Sequence, residues 1–199
     1  MLDVENWNEI SSEAAAETVG CVVDGHMLVD TPAGPMPAAS LGVGDMVTTF
    51  DDGPKRVCAV ERHPSTGAGR LVLVPAGLIG NAEDILLMPH QLVIVESDVA
   101  EMLTGSPFAV LPASALEAAE GVRRARAARA RNLVSLAFID SQAVTVAGGA
   151  VLVTDAAAGM PCLLHGPSER YEPLDAALVP QVVEALEEAS WESPYAAMA

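Results

Sequence analysis

Between Cys21 and Val57 the chain is punctuated by tight-turn residues roughly every eight to twelve positions, a spacing typical of short strands and too close for helices. The turns are Thr31-Pro32-Ala33-Gly34-Pro35, Leu41-Gly42-Val43-Gly44-Asp45 and Asp51-Asp52-Gly53-Pro54, and the runs between them carry Val, Leu, Thr and Phe. This pattern predicts strands near 21–23, 27–30, 46–49, 56–62, 70–75, 84–88, 91–96 and 108–111, in an antiparallel, partly curled sheet. Three further apolar runs, at 133–138, 143–147 and 150–154, predict more strands, two of them a hairpin across Gly148-Gly149. Toward the end, Leu174 to Glu188 place apolar residues at three- and four-residue spacing, predicting a small amphipathic helix interrupted or started by Pro180.

The motifs then become specific. Cys21 is followed by a Thr-Pro-x-Gly turn, by Leu41-x-x-Gly44-Asp45-x-Val47-x-Thr49 and by the Asp51-Asp52-Gly53 turn. Pro75 to Asn81 forms a Gly-Asn turn, and Asp84-Ile85-Leu86-Leu87-Met88-Pro89-His90-Gln91 follows as an apolar strand running into a proline. Ala100 to Leu103, Val110 to Ala113 and Leu136 to Phe138 extend the likeness. Together, over residues 21 to 166, they resemble the Hint domain shared by hedgehog autoprocessing domains and inteins, most closely the stand-alone bacterial Hint-type proteins. The resemblance implies an all-β, Hint-like compact fold with a small C-terminal helix.

It also implies a chemistry, protein autoprocessing. In a Hint domain the first cysteine attacks the preceding carbonyl in an N-to-S acyl shift, while a histidine protonates the departing nitrogen and a nearby Ser/Thr positions it. Cys21, directly after Gly20, stands in the place of that cysteine. Asp24 stands where proline is common, and one residue more than usual separates Cys21 from the Thr-Pro turn. Where the family reads Ser/Thr-Pro-x-His, this chain reads Met88-Pro89-His90-Gln91, so a methionine replaces the hydroxyl and Gln91 the histidine. His90 lies one position early, and on a strand that displacement turns a side chain to the opposite face unless the strand bulges. Cys21 and His90 are therefore the candidate catalytic residues. A later Phe-Asp-x-His-like segment is also altered, to Phe138-Ile139-Asp140-Ser141-Gln142, and no His-Asn dipeptide occurs, which excludes intein-type splicing. Two functions stay open: cysteine-initiated N-terminal cleavage degenerate at the catalytic histidine, or an inactive Hint-fold scaffold that binds a protein partner.

Composition bounds these readings. At 199 residues and 51% hydrophobic, the chain has material for one sizeable core. With aromatics at 4%, that core is expected to be built from Val, Leu, Ala and Met. The expected organisation is an acidic leader at 1–20, the Hint-like domain at 21–166, and a helix and tail at 167–199. A formal charge of −17 opposes a broad nucleic-acid surface. The absence of an eighteen-residue apolar run and the acidic start, Met1-Leu2-Asp3-Val4-Glu5, predict no membrane span and a cytoplasmic location. Cys21, Cys58 and Cys162 lack Cys-x-x-Cys spacing, so no metal site, disulfide or cofactor is expected, and Cys58 and Cys162 read as buried thiols. Half of the ten Lys and Arg fall at Arg123, Arg124, Arg126, Arg129 and Arg131. That segment reads as a patch for nucleic acid or an acidic partner, or as a solvated Ala/Arg-rich helix or irregular loop. The lack of interleaved aromatics favours the second.

Overall fold

The computed structural model describes residues 22–65, 70–126, 131–154 and 171–192, which are mostly antiparallel β structure. In chain order the strands are β1 (Val22–Asp24), β2 (Leu28–Val29), β3 (Met36–Pro37), β4 (Met46–Thr49), β5 (Gly53–Arg56), β6 (Ala59–Ser65) and β7 (Arg70–Val74). They continue as β8 (Ile85–Leu87), β9 (Leu92–Glu96), β10 (Phe108–Pro112), β11 (Arg123–Arg126), β12 (Arg131–Ala137), β13 (Gln142–Val146) and β14 (Ala150–Thr154). Among the described residues, two α-helices, α1 (Asp98–Thr104) and α2 (Val179–Glu192), and 3-10 turns at Ala38–Ser40 and Ala113–Ala118 complete the fold. The largest sheet runs β10-β9-β14-β13-β2-β3, with the β4-β5 hairpin joined through β13. Two three-stranded sheets, β1-β12-β6 and β11-β7-β8, close around it. The all-β expectation holds.

β14 shows why an unbroken apolar run is needed in the middle of this sheet. It lies between β9 and β13, and all five of its residues are buried. Ala150 and Leu152 enter the main core, while Val151 and Val153 join Ile94, Ala143 and Tyr171 on the other face. With both faces covered, no polar alternation survives. The main core is built from Val, Leu and Ala, as the scarcity of aromatics dictates, and Phe138 is its single buried phenylalanine among the described residues.

The β13–β14 hairpin turns through Ala147, Gly148 and Gly149, with φ of 49°, 77° and 159°. Gly149 is required by packing as well as by backbone angle. A Cβ there would fall 2.1 Å from the carbonyl oxygen of Gly80, so two backbones press together where no side chain fits.

The exposed edge of the large sheet is protected. Among the described residues β10 pairs with β9 alone, and along its outer side Ser106 hydrogen-bonds both backbone groups of Phe108. Leu174 N–H donates to the Val110 carbonyl at 2.9 Å, and Pro112 has no N–H to offer. Edge-to-edge pairing with another chain is blocked at each of these positions.

Two expectations need correction, and one element goes beyond them. The arginine segment forms β11, antiparallel to β7 from Arg123 opposite Leu73 to Arg126 opposite Arg70, and not a helix or irregular loop. Alanine and arginine favour helix locally, but the edge of β7 offers a ladder of hydrogen bonds that outweighs propensity. Arg123 and Arg124 are exposed as expected, with Arg124 paired to Glu117, while Arg129 lies outside the described residues. Cys58 is half-exposed, because Val57 takes the core-facing position and the next residue turns outward. α1 was not anticipated, although its signals are present: the Ser97 side chain accepts from Ala100 N–H, and Gly105 closes the helix at φ 80°.

The predicted C-terminal helix is α2. Val182, Val183 and Leu186 bury one face in the main core, Pro180 sits in the first turn, and the helix packs on α1 and on the 113–118 turn.

Candidate active site

β1 begins one residue after Cys21. It pairs with β12, with Val22 opposite Ser135, and lies against β8. From β8 the chain passes through Met88-Pro89-His90-Gln91 into β9, in a turn closed by Gln91 N–H donating to the Met88 carbonyl at 3.0 Å. The 113–118 turn fixes this connection from outside. Ser114 N–H donates to the Pro89 carbonyl and Ala113 N–H to the Gln91 carbonyl, both at 2.8 Å.

His90 therefore sits in a turn and not on a strand, so the alternation argument for its direction does not apply. Its ring is half-buried, and no described residue hydrogen-bonds it. Burial disfavours the charged imidazolium and lowers its pKa from the ordinary value. Cys21 lies outside the described residues, as do Cys162, His165 and the 1–20 leader.

Gln91 is 3% exposed, and its amide joins three strands. The Oε1 atom accepts the backbone N–H of Val22 at 3.2 Å, while Nε2 donates to the Leu92 carbonyl at 2.9 Å and the Val153 carbonyl at 3.0 Å. These partners fix the amide orientation, since only the NH2 side can face two carbonyls. In the sequence Gln91 stands simply where the family carries a histidine. In the fold it holds the start of β1 against β9 and β14.

A second glutamine lies beside the same end of β14. Gln142, in the altered Asp140-Ser141-Gln142 run, is fully buried and directly opposite Thr154. Thr154 Oγ1 donates to the Gln142 carbonyl at 3.0 Å and accepts its N–H at 3.2 Å. The side-chain Nε2 donates to Asp140 Oδ1 at 2.7 Å, and the buried Oε1 has no hydrogen-bond partner among the described residues. Asp24, where proline is common in the family, accepts His26 N–H at 2.9 Å and shapes the turn after β1.

The site thus combines two buried amides, a threonine hydroxyl and a half-buried neutral-leaning imidazole around the entry to β1. It can hold a peptide backbone in place, and in the turn after β8 it carries the titratable imidazole of His90. Among the described residues no group of His, Cys, Asp or Glu is arranged to hold a metal ion, and no helix is long and apolar enough to cross a membrane.

The three-sheet β architecture, with the residue following Cys21 held against the turn after β8, is that of a Hint-like domain. The sequence matches the Hint domain family over residues 21–152, and the chain belongs to that family. No curated protein matches it in sequence. Among solved structures it is similar to a bacterial intein-like domain from Clostridium thermocellum, at 18% identity and a TM-score of 0.47, covering 68% of this chain and 99% of that one. It is also similar to a GSH-linked, splice-inactive variant of the AceL NrdHF class 3 split intein, at 14% identity and a TM-score of 0.46, covering 69% and 99%. A triply substituted variant of the gp41-1 intein gives 14% identity and a TM-score of 0.45, covering 68% and 99%.

Proposed function

We propose that this Hint domain is of the autoprocessing type, with Cys21 as the nucleophile of an N-to-S acyl shift, and that the shift is impaired by the replacement of the family's histidine by Gln91. In the reaction the Cys21 thiol gives up its proton as its sulfur bonds to the Gly20 carbonyl carbon, the carbon–nitrogen bond breaks, and the nitrogen takes a proton in turn to leave as the Cys21 amine. The thioester then yields to water or a thiol. Without a donor for that proton the tetrahedral intermediate expels sulfur and returns to the amide.

The observation that carries this reading is the saturation of the Gln91 amide. Both Nε2 hydrogens are committed to the Leu92 and Val153 carbonyls, and the side facing β1 is an acceptor. An amide does not titrate, and this one has no donor free for a leaving nitrogen. His90 is the remaining candidate acid, and its lowered pKa leaves less of it protonated and able to donate near neutral pH.

The test restores the family pattern. Met88→Thr with Gln91→His should produce thiol-dependent cleavage before Cys21, seen by intact mass as loss of the leader, and Cys21→Ala in the same background should abolish it. No cleavage in a folded double variant would remove Gln91 as the cause. A second reading, an inactive scaffold that binds a protein partner, is favoured by an apolar groove remote from Gln91.

A further inference from the structure

At the end of β9 and β14 opposite Gln91, the surface opens into a groove of about 270 Å³ lined by Phe50, Leu78, Ile94, Phe108, Val151 and Leu186. Two of the chain's three phenylalanines stand on it, Phe50 at 41% and Phe108 at 40% exposure, in edge-to-face contact at 5.0 Å and 82°. In a chain with so few aromatics, two are spent on an outward-facing pair while only Phe138 is buried.

The walls are built to stay open. Gly80 and Gly149 meet backbone to backbone, so no side chain fills the floor. The Gly77–Gly80 loop is tied by Asn81, itself 2% exposed, whose Nδ2 donates to the Pro75 and Glu83 carbonyls at 2.9 and 2.8 Å and whose Oδ1 accepts Ile79 N–H at 3.2 Å. The groove is preformed, which lowers the ordering cost of filling it.

Its size and charge select the occupant. The volume falls just below that of typical pockets for drug-sized ligands, and suits one or two large side chains. Among the described residues no Lys or Arg lines it, and none forms an ion pair with the exposed carboxylate of Glu96. Exposed Glu184, Glu188 and Asp98 lie on the neighbouring helices, in a chain of net charge −17. Because the β10 edge is already capped, strand addition does not explain the site.

We propose that this groove docks a peptide segment of a partner protein, anchored by a large apolar side chain and flanked by lysine or arginine, with Phe50 and Phe108 gripping the anchor and Glu96 reading the flanking charge. It deepens the scaffold reading but does not depend on whether Cys21 reacts.

The experiment titrates the full-length protein against a fluorescein-labelled hexapeptide, Gly-Lys-Phe-Leu-Lys-Gly, and two counterparts, one with both lysines changed to glutamate and one with Ser-Ser in place of Phe-Leu. Saturable binding at least about tenfold tighter for the first peptide is expected. It should weaken about tenfold in Phe108→Ser and about tenfold in Glu96→Lys, with unchanged circular dichroism in both variants. Equal binding of the Ser-Ser peptide would mean attraction to net charge alone, and no saturation at concentrations on the order of 1 mM would mean no such site; either overturns the proposal. Self-association lost in Phe108→Ser would put a second copy in the groove and overturn it as well. Mass spectra of the same samples report cleavage before Cys21 separately, so failure of the acyl-shift reading and failure of the groove are distinguishable.

Discussion

Gln91 Oε1 accepts the backbone N–H of Val22 at 3.2 Å across sixty-nine residues of sequence, and the same side chain donates to carbonyls of Leu92 and Val153. One buried amide therefore sets where the residue after Cys21 lies relative to β9 and β14. Gln91→Leu removes all three bonds and leaves buried backbone groups unsatisfied, so it should destabilise by about 2 kcal/mol or more. Urea denaturation monitored by circular dichroism checks this, and a loss well under 1 kcal/mol would contradict the stapling role.

Gln142 should behave differently although it is the same residue type and more deeply buried. Its Oε1 has no partner among the described residues, and Asp140, half-buried, can turn to water if its donor is lost. Gln142→Leu gives up one hydrogen bond and removes one unsatisfied acceptor, so its stability should stay within about 1 kcal/mol of wild type. The same urea series, run beside Gln91→Leu, separates a saturated amide from an unsaturated one.

His90 gives a dependence on pH. Burial lowers its folded-state pKa below the unfolded value of about 6.5, so the fold binds fewer protons there than the unfolded chain. Its share of stability is present above about pH 6.5 and is lost as the pH falls toward the lowered pKa. His90→Gln should flatten the stability profile below about pH 6.5, leaving it nearly unchanged at pH 8. Denaturation midpoints of both proteins across that range test the sign.

Gly149→Ala places a methyl group against the Gly80 carbonyl oxygen at 2.1 Å, in a backbone region where side chains are rare. The hairpin and the Gly77–Gly80 loop must separate to admit it, at an expected cost of about 2–4 kcal/mol. Thermal denaturation checks this, with Gly53→Ala as control: that position also has positive φ, at 68°, but has nothing within 4 Å of its added Cβ.

Much of this fold was readable in advance, because turns of Gly, Pro and Asp divide the chain locally and each strand carries its own apolar signature. The β13–β14 hairpin and the face of α2 with Val182, Val183 and Leu186 were of this kind. β11 was not, since its strand conformation comes from β7, fifty or more positions earlier, and its own residues favour a helix. α1 was missed because seven residues between strands carry too little periodicity, although Ser97 and Gly105 mark its ends.

The site was legible only as departures from a pattern. Motif comparison identified Gln91 as a substitution, but its three hydrogen bonds depend on partners at Val22 and Val153 that no local window contains. The placement of His90 in a turn likewise depends on backbone bonds from Ala113 and Ser114. The groove had no motif at all, because Phe50 and Phe108 meet only through the order of strands in the sheet.

The most direct test of the central claim is the intact mass of the wild-type protein, with the acidic leader present, after prolonged incubation with excess thiol or hydroxylamine. A saturated Gln91 amide and a desolvated His90 predict a single full-length species. Robust release of residues 1–20, persisting in His90→Ala and lost in Cys21→Ala, would contradict the account of which groups the acyl shift requires.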